Sequence, residues 1–211
     1  MLEDITCELP AGAVVALVGE NGAGKASLVK LLLRFYEPTS GRILVDGVPL
    51  EDLGVDEWRQ RSSGAFQDYC RPEFRAREAI GLGDLSRLDE VAIGSAAGRS
   101  GAAEVVAGLP NGWDTQLGST RPGGVDLSGG QWQRLALARA RMRTQPLLLV
   151  LDEPTAALDA EAEHALFERF AEAARDAREA AGVTLLVSHR FSTVRMADLI
   201  LVLERPDPRT W

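Results

Sequence analysis

"AVVALVGENGAGKASLVKLLLRFY", residues 13–36, passes through three textures in two dozen residues. Residues 13–19 form a short, β-branched apolar run stopped by glycine, which reads as a buried strand. The stretch from Ser27 to Tyr36 is apolar and long enough for a helix packed on a sheet. Between them lie Gly19, Gly22 and Gly24, followed at once by Lys25. Two readings fit this loop. One is a glycine-rich strand-to-helix turn. The other is a phosphate cradle, in which glycines bring the backbone close to an anion, the helix start aims N–H groups at it, and Lys25 adds a point charge. The pattern G-x-x-x-x-G-K normally continues with Ser or Thr, whose hydroxyl holds a magnesium ion. Here Ala26 follows, a methyl with nothing to offer a metal. A dinucleotide fingerprint, G-x-G-x-x-G, fails because Ser27 stands where its third glycine belongs.

Outward from this segment, strands and helices alternate. "EPTSG" breaks the helix, and "RILVDGVPL" carries an Asp46-Gly47 turn signal between two extended pieces. "DEWRQR" reads as a short helix and "SSGAFQD" as a strand ending near Gln67. From Tyr69 to about Gly124 the chain is rich in Ala and Gly, helical in period and without a convincing strand. "SGGQWQRLALARARMR" is an amphipathic helix with Ser128 as N-cap. "PLLLVLDEP" is an apolar strand ending in two acids. Residues 160–182 repeat apolar side chains at helical spacing and stop at Gly182. "VTLLVSH" and "LILVLE" are two further strands. This order predicts a mostly parallel sheet covered on both faces.

Bulk properties narrow the classes. A chain of 211 residues buries roughly 70% of its extended surface and needs no staples. Cys7 and Cys70 have neither disulfide nor metal spacing, which points to a reducing compartment. A net charge of −8 argues against a nucleic-acid surface, which neutralises phosphates with Lys and Arg. No apolar run approaches the ~18 residues of a membrane span, and residues 1–18 lack a signal peptide's pattern.

Two more motifs carry chemistry. "LLLVLDEPT" delivers Asp152 and Glu153 to the C-terminal edge of a strand, where α/β sheets bind ligands. "LSGGQ", residues 127–131, opens a helix with small residues and is a second anion-binding N-terminus. Together with "AFQD", "DEPTAALD" and "VSHR" in that order, these stretches resemble the ATP-binding cassette (ABC) ATPases, from about Leu2 to Leu203. "LLLRFYEPTSGRILVDG", "LSGGQWQRLALARA" and "SHRFSTVRMAD" look like cassettes of multidrug- and lipid-exporter type, since importer cassettes usually follow the switch histidine with an acid rather than Arg190.

The resemblance implies a P-loop NTPase α/β core, residues 1–69 and 144–211, with a partial antiparallel β flank before Gln67. An inserted helical lobe would occupy about 70–143. ATP and Mg2+ would be the cofactors. Gly19, Glu20, Asn21, Gly22, Ala23, Gly24, Lys25, Ala26 and Ser27 would line the phosphates. Gln67 would reach the magnesium and the attacking water, and Asp152 would anchor the magnesium's water shell. Glu153 would be the catalytic base, His189 would contact the γ-phosphate, and Asp159 would communicate across a dimer. Ser128, Gly129, Gly130 and Gln131 would bind the ATP of a second cassette, head to tail, which explains the second cradle. A transmembrane domain or subunit would be the other partner, holding the cassette at the cytoplasmic face of the membrane, with no nucleic acid involved.

Three departures from the pattern stand out. Ala26 replaces the magnesium-binding hydroxyl, and Ser27 lies one residue, ~100° of helix, away. Residues 1–18 contain no aromatic to stack adenine. After Leu203, "ERPDPRTW" lacks the family's glycine turn and strand, so both ends look clipped. The expected function is binding and hydrolysing ATP to power export. A degenerate, slow or inactive cassette, acting as the regulatory half of a heterodimer, is the alternative, and a soluble cassette acting on DNA or ribosomes is a third. His164 reads as a surface residue of a charged helix.

Overall fold

The computed structural model describes residues 2–66, 70–152, 160–188 and 194–204. Five strands form one wholly parallel sheet: β1 (Val14–Gly19), β4 (Ser62–Ala65), β5 (Leu148–Asp152), β6 (Val183–Val187) and β7 (Leu199–Leu203). Their spatial order is β4-β5-β6-β1-β7, so β1, which leads into the glycine loop, lies inside the sheet. Two short strands, β2 (Leu44–Val45) and β3 (Val48–Pro49), pair antiparallel beside it. Asp46 and Gly47 both take positive φ, 50° and 81°, as a two-residue hairpin turn of type I′ demands.

Strand alternation divides the sheet's side chains between two cores. Val15, Leu17, Leu148, Val150, Leu185 and Val187 face one cluster. There they meet Leu28 and Val29 of α1 (Lys25–Leu32) and Trp58 of α2 (Val55–Gln60). Val14, Leu149, Leu151 and Leu186 face the other, against Phe170, Ala173 and Ala177 of α7 (Ala160–Glu179). Burial on both faces is why these strands are unbroken apolar runs.

Between β4 and β5 come α3 (Ala76–Gly81), α4 (Glu90–Ser100), α5 (Ala102–Ala107) and α6 (Gly129–Ala140). Trp132, Leu135, Ala138 and Met142 join a third cluster with Ile80, Ile93, Ala97 and Val106. Leu137 and Ala140, on the other side of α6, join the α7 side of the sheet. One helix therefore belongs to two cores.

Two helix ends differ from the sequence reading. The helix after the loop stops at Leu32, short of Tyr36, because Arg34 turns to φ 54°. The Phe35 amide then bonds the Lys30 carbonyl at 2.8 Å and that of Arg34 bonds Leu31 at 3.0 Å, a Schellman motif without glycine. The Arg34 side chain stabilises the turn by donating to the Glu51 carbonyl at 2.9 Å and to that of Leu53. The same motif closes α7, with Gly182 N–H on Ala177 O at 2.8 Å and Ala181 N–H on Arg178 O at 2.9 Å. Its left-handed residue is Ala181, φ 57°, rather than Gly182. Gly182 is needed for another reason: a Cβ there would lie 2.1 Å from the Pro146 carbonyl oxygen. The strand read as ending near Gln67 ends at Ala65.

Candidate functional site

All five strands point one way, so their C-terminal ends share one edge. Leu17 of β1 pairs with Val187 of β6, and Val187 pairs with Asp152 of β5. The loop from Gly19, the carboxylate of Asp152 and the chain leaving Val187 therefore stand along that edge. Ser188, the next residue, is 2% exposed and donates its amide to the Leu17 carbonyl at 3.3 Å.

The loop has the backbone of an anion cradle. Gly22 and Gly24 sit at φ 82° and 104°, a region that side chains disfavour. At Gly19 a Cβ would come within 2.4 Å of the Leu203 carbonyl oxygen, because β7 pairs right up to that residue. Gly24 caps α1 with no side-chain hydrogen bond, and the first turn of α1 has no acid. The helix start is thus left to other partners for its N–H groups. Lys25 bends back over the loop, its Nζ donating to the carbonyls of Gly19 at 2.6 Å and Glu20 at 3.2 Å. Leu2 covers the outer side, with Cδ2 at 2.4 Å from where a Gly24 Cβ would lie. Ala23 is buried, whereas Ala26 and Ser27 are not.

These residues fit a nucleotide's phosphates: a glycine cradle, a helix N-terminus and an ammonium converge. Magnesium fits less completely. Ala26 supplies no oxygen, and the described residues contain no group of three or more His, Cys, Asp or Glu that could hold a metal alone. Half-buried Asp152 would need phosphate oxygens and water to complete an octahedral shell. Gln67, Glu153, Asp159 and His189 lie outside the described residues. The strands that precede Gln67, Glu153 and His189, namely β4, β5 and β6, end on the edge described above. His164 falls within α7.

Ser128 and Gln131 form a capping box at the start of α6. The Ser128 amide donates to Gln131 Oε1 at 2.9 Å, and the Gln131 amide to Ser128 Oγ at 3.3 Å. Asp126 Oδ1 accepts from the Leu127 amide and from the indole of Trp132, which is 1% exposed. This helix start is exposed at Ser128 and Gly129 and rests on the helical cluster, whereas the Gly19 loop rests on the sheet.

A profile of the family described as "ABC transporter" matches residues 2–156. The chain belongs to the ABC transporter family. An ATP-dependent lipid A-core flippase of Ralstonia nicotianae is 43% identical over 205 residues, 96% of this cassette and 33% of that protein. An ABC transporter B family member 1 of Arabidopsis thaliana is 40% identical over 97% of the cassette and 15% of its own length. The solved structure of a bacterial Atm1-family ABC exporter with ATP bound superposes with a TM-score of 0.81 at 33% identity, over 94% of the cassette and 34% of that chain. The cassette thus spans about a third of the flippase and of the exporter. Its P-loop α/β fold, its place as an ABC ATPase domain and the use of ATP with magnesium follow at the family level. No helix of the described residues is long and apolar enough to cross a membrane.

Sequence reading missed two arginines of α6 and its C-cap. Arg139 donates to the carbonyls of Ala79 at 2.9 Å and Cys70 at 3.3 Å, tying the segment after Gln67 to α3 and α6. Burial pushes its guanidinium below its usual range, and Cys70 works against that. Arg141, 4% exposed, is more deeply buried than half-buried Arg139. Arginines at the last turn of an apolar helix, "ARARMR", were the available signal.

Proposed function

We propose that this cassette binds ATP and Mg2+ through residues 19–27 and hydrolyses the γ-phosphate, powering export through a membrane-embedded partner. The observation that carries it is Lys25 held over a glycine loop at the C-terminal edge of a parallel sheet, with Asp152 on the same edge. Lys25 and the loop amides would hold the β- and γ-phosphates. Glu153 would take the proton of the attacking water, with Gln67 and His189 positioning water and γ-phosphate. Magnesium, when bound, would neutralise phosphate charge, and Asp152 and Gln67 would hold it. Positioning and charge neutralisation supply most of the rate in such transfers.

Ser128, Gly129, Gly130 and Gln131 would contact the ATP of a second cassette in a head-to-tail dimer. Their exposure, on a core separate from that of the loop, supports this reading. The separate clusters also support a division into a core, 1–69 and 144–211, and a helical lobe, about 70–143, with α6 shared between them. A transmembrane partner would hold the cassette at the cytoplasmic face. The test is Glu153→Gln with ATP and magnesium in gel filtration. Loss of turnover with a stable dimer is the expected result, and a strictly monomeric variant at high concentration would count against use of Ser128 in trans.

Ala26 favours a second reading: a cassette that binds ATP and turns over slowly, as the regulatory half of a heterodimer. Turnover of the chain and of Ala26→Ser separates the two.

A further inference from the structure

Asp176 of α7 accepts from two guanidinium groups at once. Arg141 Nη2, on the C-cap of α6, lies 2.6 Å from Asp176 Oδ2, and Arg99 Nη1, in the last turn of α4, lies 3.0 Å from the same oxygen. Arg99 also donates to the Arg141 carbonyl at 3.1 Å, and Arg141 donates to the Arg169 carbonyl of α7 at 3.0 Å. Three helices meet on one carboxylate.

This arrangement is a poor choice for stability alone. The Arg141 side chain is 3% exposed, and its Nε and that of Arg99 have no partner among the described residues. Burial lowers the Arg141 pKa, neighbouring Arg99 lowers it further, and Asp176 and Glu172 work against them. Apolar side chains at such a site are often as stable or more so, and ion pairs are best attested where they specify one arrangement over another. The cluster sits where an arrangement must be specified. Helix α6 shares apolar packing with two cores, and such packing selects a helix's angle only to within about 15–20°. Arg141 stands at one end of that helix and Ser128 at the other.

We propose that Arg141 and Asp176 are positioning residues: their ion pair sets the angle of α6 against α7, and thereby where Ser128 is presented. The 12 residues of α6 span about 18 Å, so a tilt of about 10° at Arg141 moves Ser128 by about 3 Å. A displacement near 1 Å can cost about 100-fold in rate. The consequence for turnover rests on the ATPase reading above; the geometric claim does not.

Two readouts on the 211-residue chain test this. In a Cys7→Ser/Cys70→Ser background, spin labels at Gln133→Cys and Glu168→Cys report the α6–α7 distance. A narrow distribution is expected, broadened or shifted by Arg141→Leu and by Asp176→Asn, and returned towards narrow by Asp176→Glu. Arg141→Leu fills the buried space without charge, and Asp176→Asn is the milder change should that variant fold poorly; melting curves identify folded protein. In the same variants kcat should fall by about 100-fold, with KM and the Kd of ATP for a single chain within twofold of wild type. An unchanged distance distribution in a folded variant overturns the proposal whatever turnover does, and so does broadening with undiminished kcat where the wild type turns over. If the wild type has no turnover but the distances respond as expected, the ATPase reading fails and the positioning role stands.

Discussion

The Lys25 ammonium donates to the carbonyl of Gly19 at 2.6 Å, closing the phosphate loop on itself across six residues. The charge is partly satisfied by this carbonyl and that of Glu20. On the proposed reading, ATP binding would exchange carbonyl oxygens for phosphate oxygens, and the Coulombic gain would lie in that exchange.

Lys25→Ala should therefore act on binding far more than on folding. A charge-assisted hydrogen bond is worth about 1.5–3 kcal/mol, so the Kd for ATP should rise about 10- to 100-fold. The unfolding free energy should change by less than about 1 kcal/mol, since the ammonium is not buried. Calorimetric titration and chemical denaturation on one preparation measure both.

Ala26→Ser should accelerate hydrolysis. On the proposed reading, a hydroxyl that binds the magnesium directly would be worth about 2–4 kcal/mol at the transition state, or roughly 30- to 1000-fold in kcat. The affinity for ATP should change much less, because on the proposed reading the loop amides and Lys25 would carry the binding. Steady-state turnover with a working dimer partner present measures it, and equal rates for both proteins would show that the missing hydroxyl is not limiting.

Base selectivity of residues 1–211 by themselves should be weak. Stacking on an aromatic contributes about 1–3 kcal/mol, and residues 1–18 contain none. The side chain placed beside the loop at Gly24 is aliphatic Leu2. ATP and GTP should bind within about tenfold of each other, and competition against a fluorescent nucleotide gives the ratio.

Ala181→Gly should stabilise the fold. A left-handed Cβ residue costs about 1–2 kcal/mol, partly offset by the larger chain entropy that glycine loses on folding. A net gain of about 0.5–1 kcal/mol follows, raising Tm by about 1–4 °C for a domain of this size. Gly182→Ala should do the opposite, because its Cβ would meet the Pro146 carbonyl oxygen.

Gly19→Ala should disrupt the loop without emptying the core. The added methyl would lie 2.4 Å from the Leu203 carbonyl oxygen, so β1 and β7 must part at that end. Loss of ATP binding with near-wild-type circular dichroism is expected. Unaltered binding would show that β7 yields there.

The residues by themselves determined what depends on local chemistry and on period. Apolar runs of five or six residues are strands because only a doubly covered sheet buries both their faces, as β1, β5 and β6 show. Asp46-Gly47 is a turn because its φ angles demand it, and Ser128 is a cap because its hydroxyl reaches the third amide. The glycine–lysine loop depends on local chemistry in the same way: the positive φ of Gly22 and Gly24 and the reach of Lys25 to the Gly19 carbonyl lie within seven residues. What only the tertiary structure decided involves partners distant along the chain. Gly19 is a glycine because of a carbonyl 184 residues away, and Gly182 because of Pro146. The left-handed ends at Arg34 and Ala181 are held by packing and by the Arg34 side chain rather than by intrinsic preference. The meeting of Arg99, Arg141 and Asp176 on one carboxylate could not be read from any window of sequence. Each lies on a separate helix, and only the fold determines which faces of those helices meet.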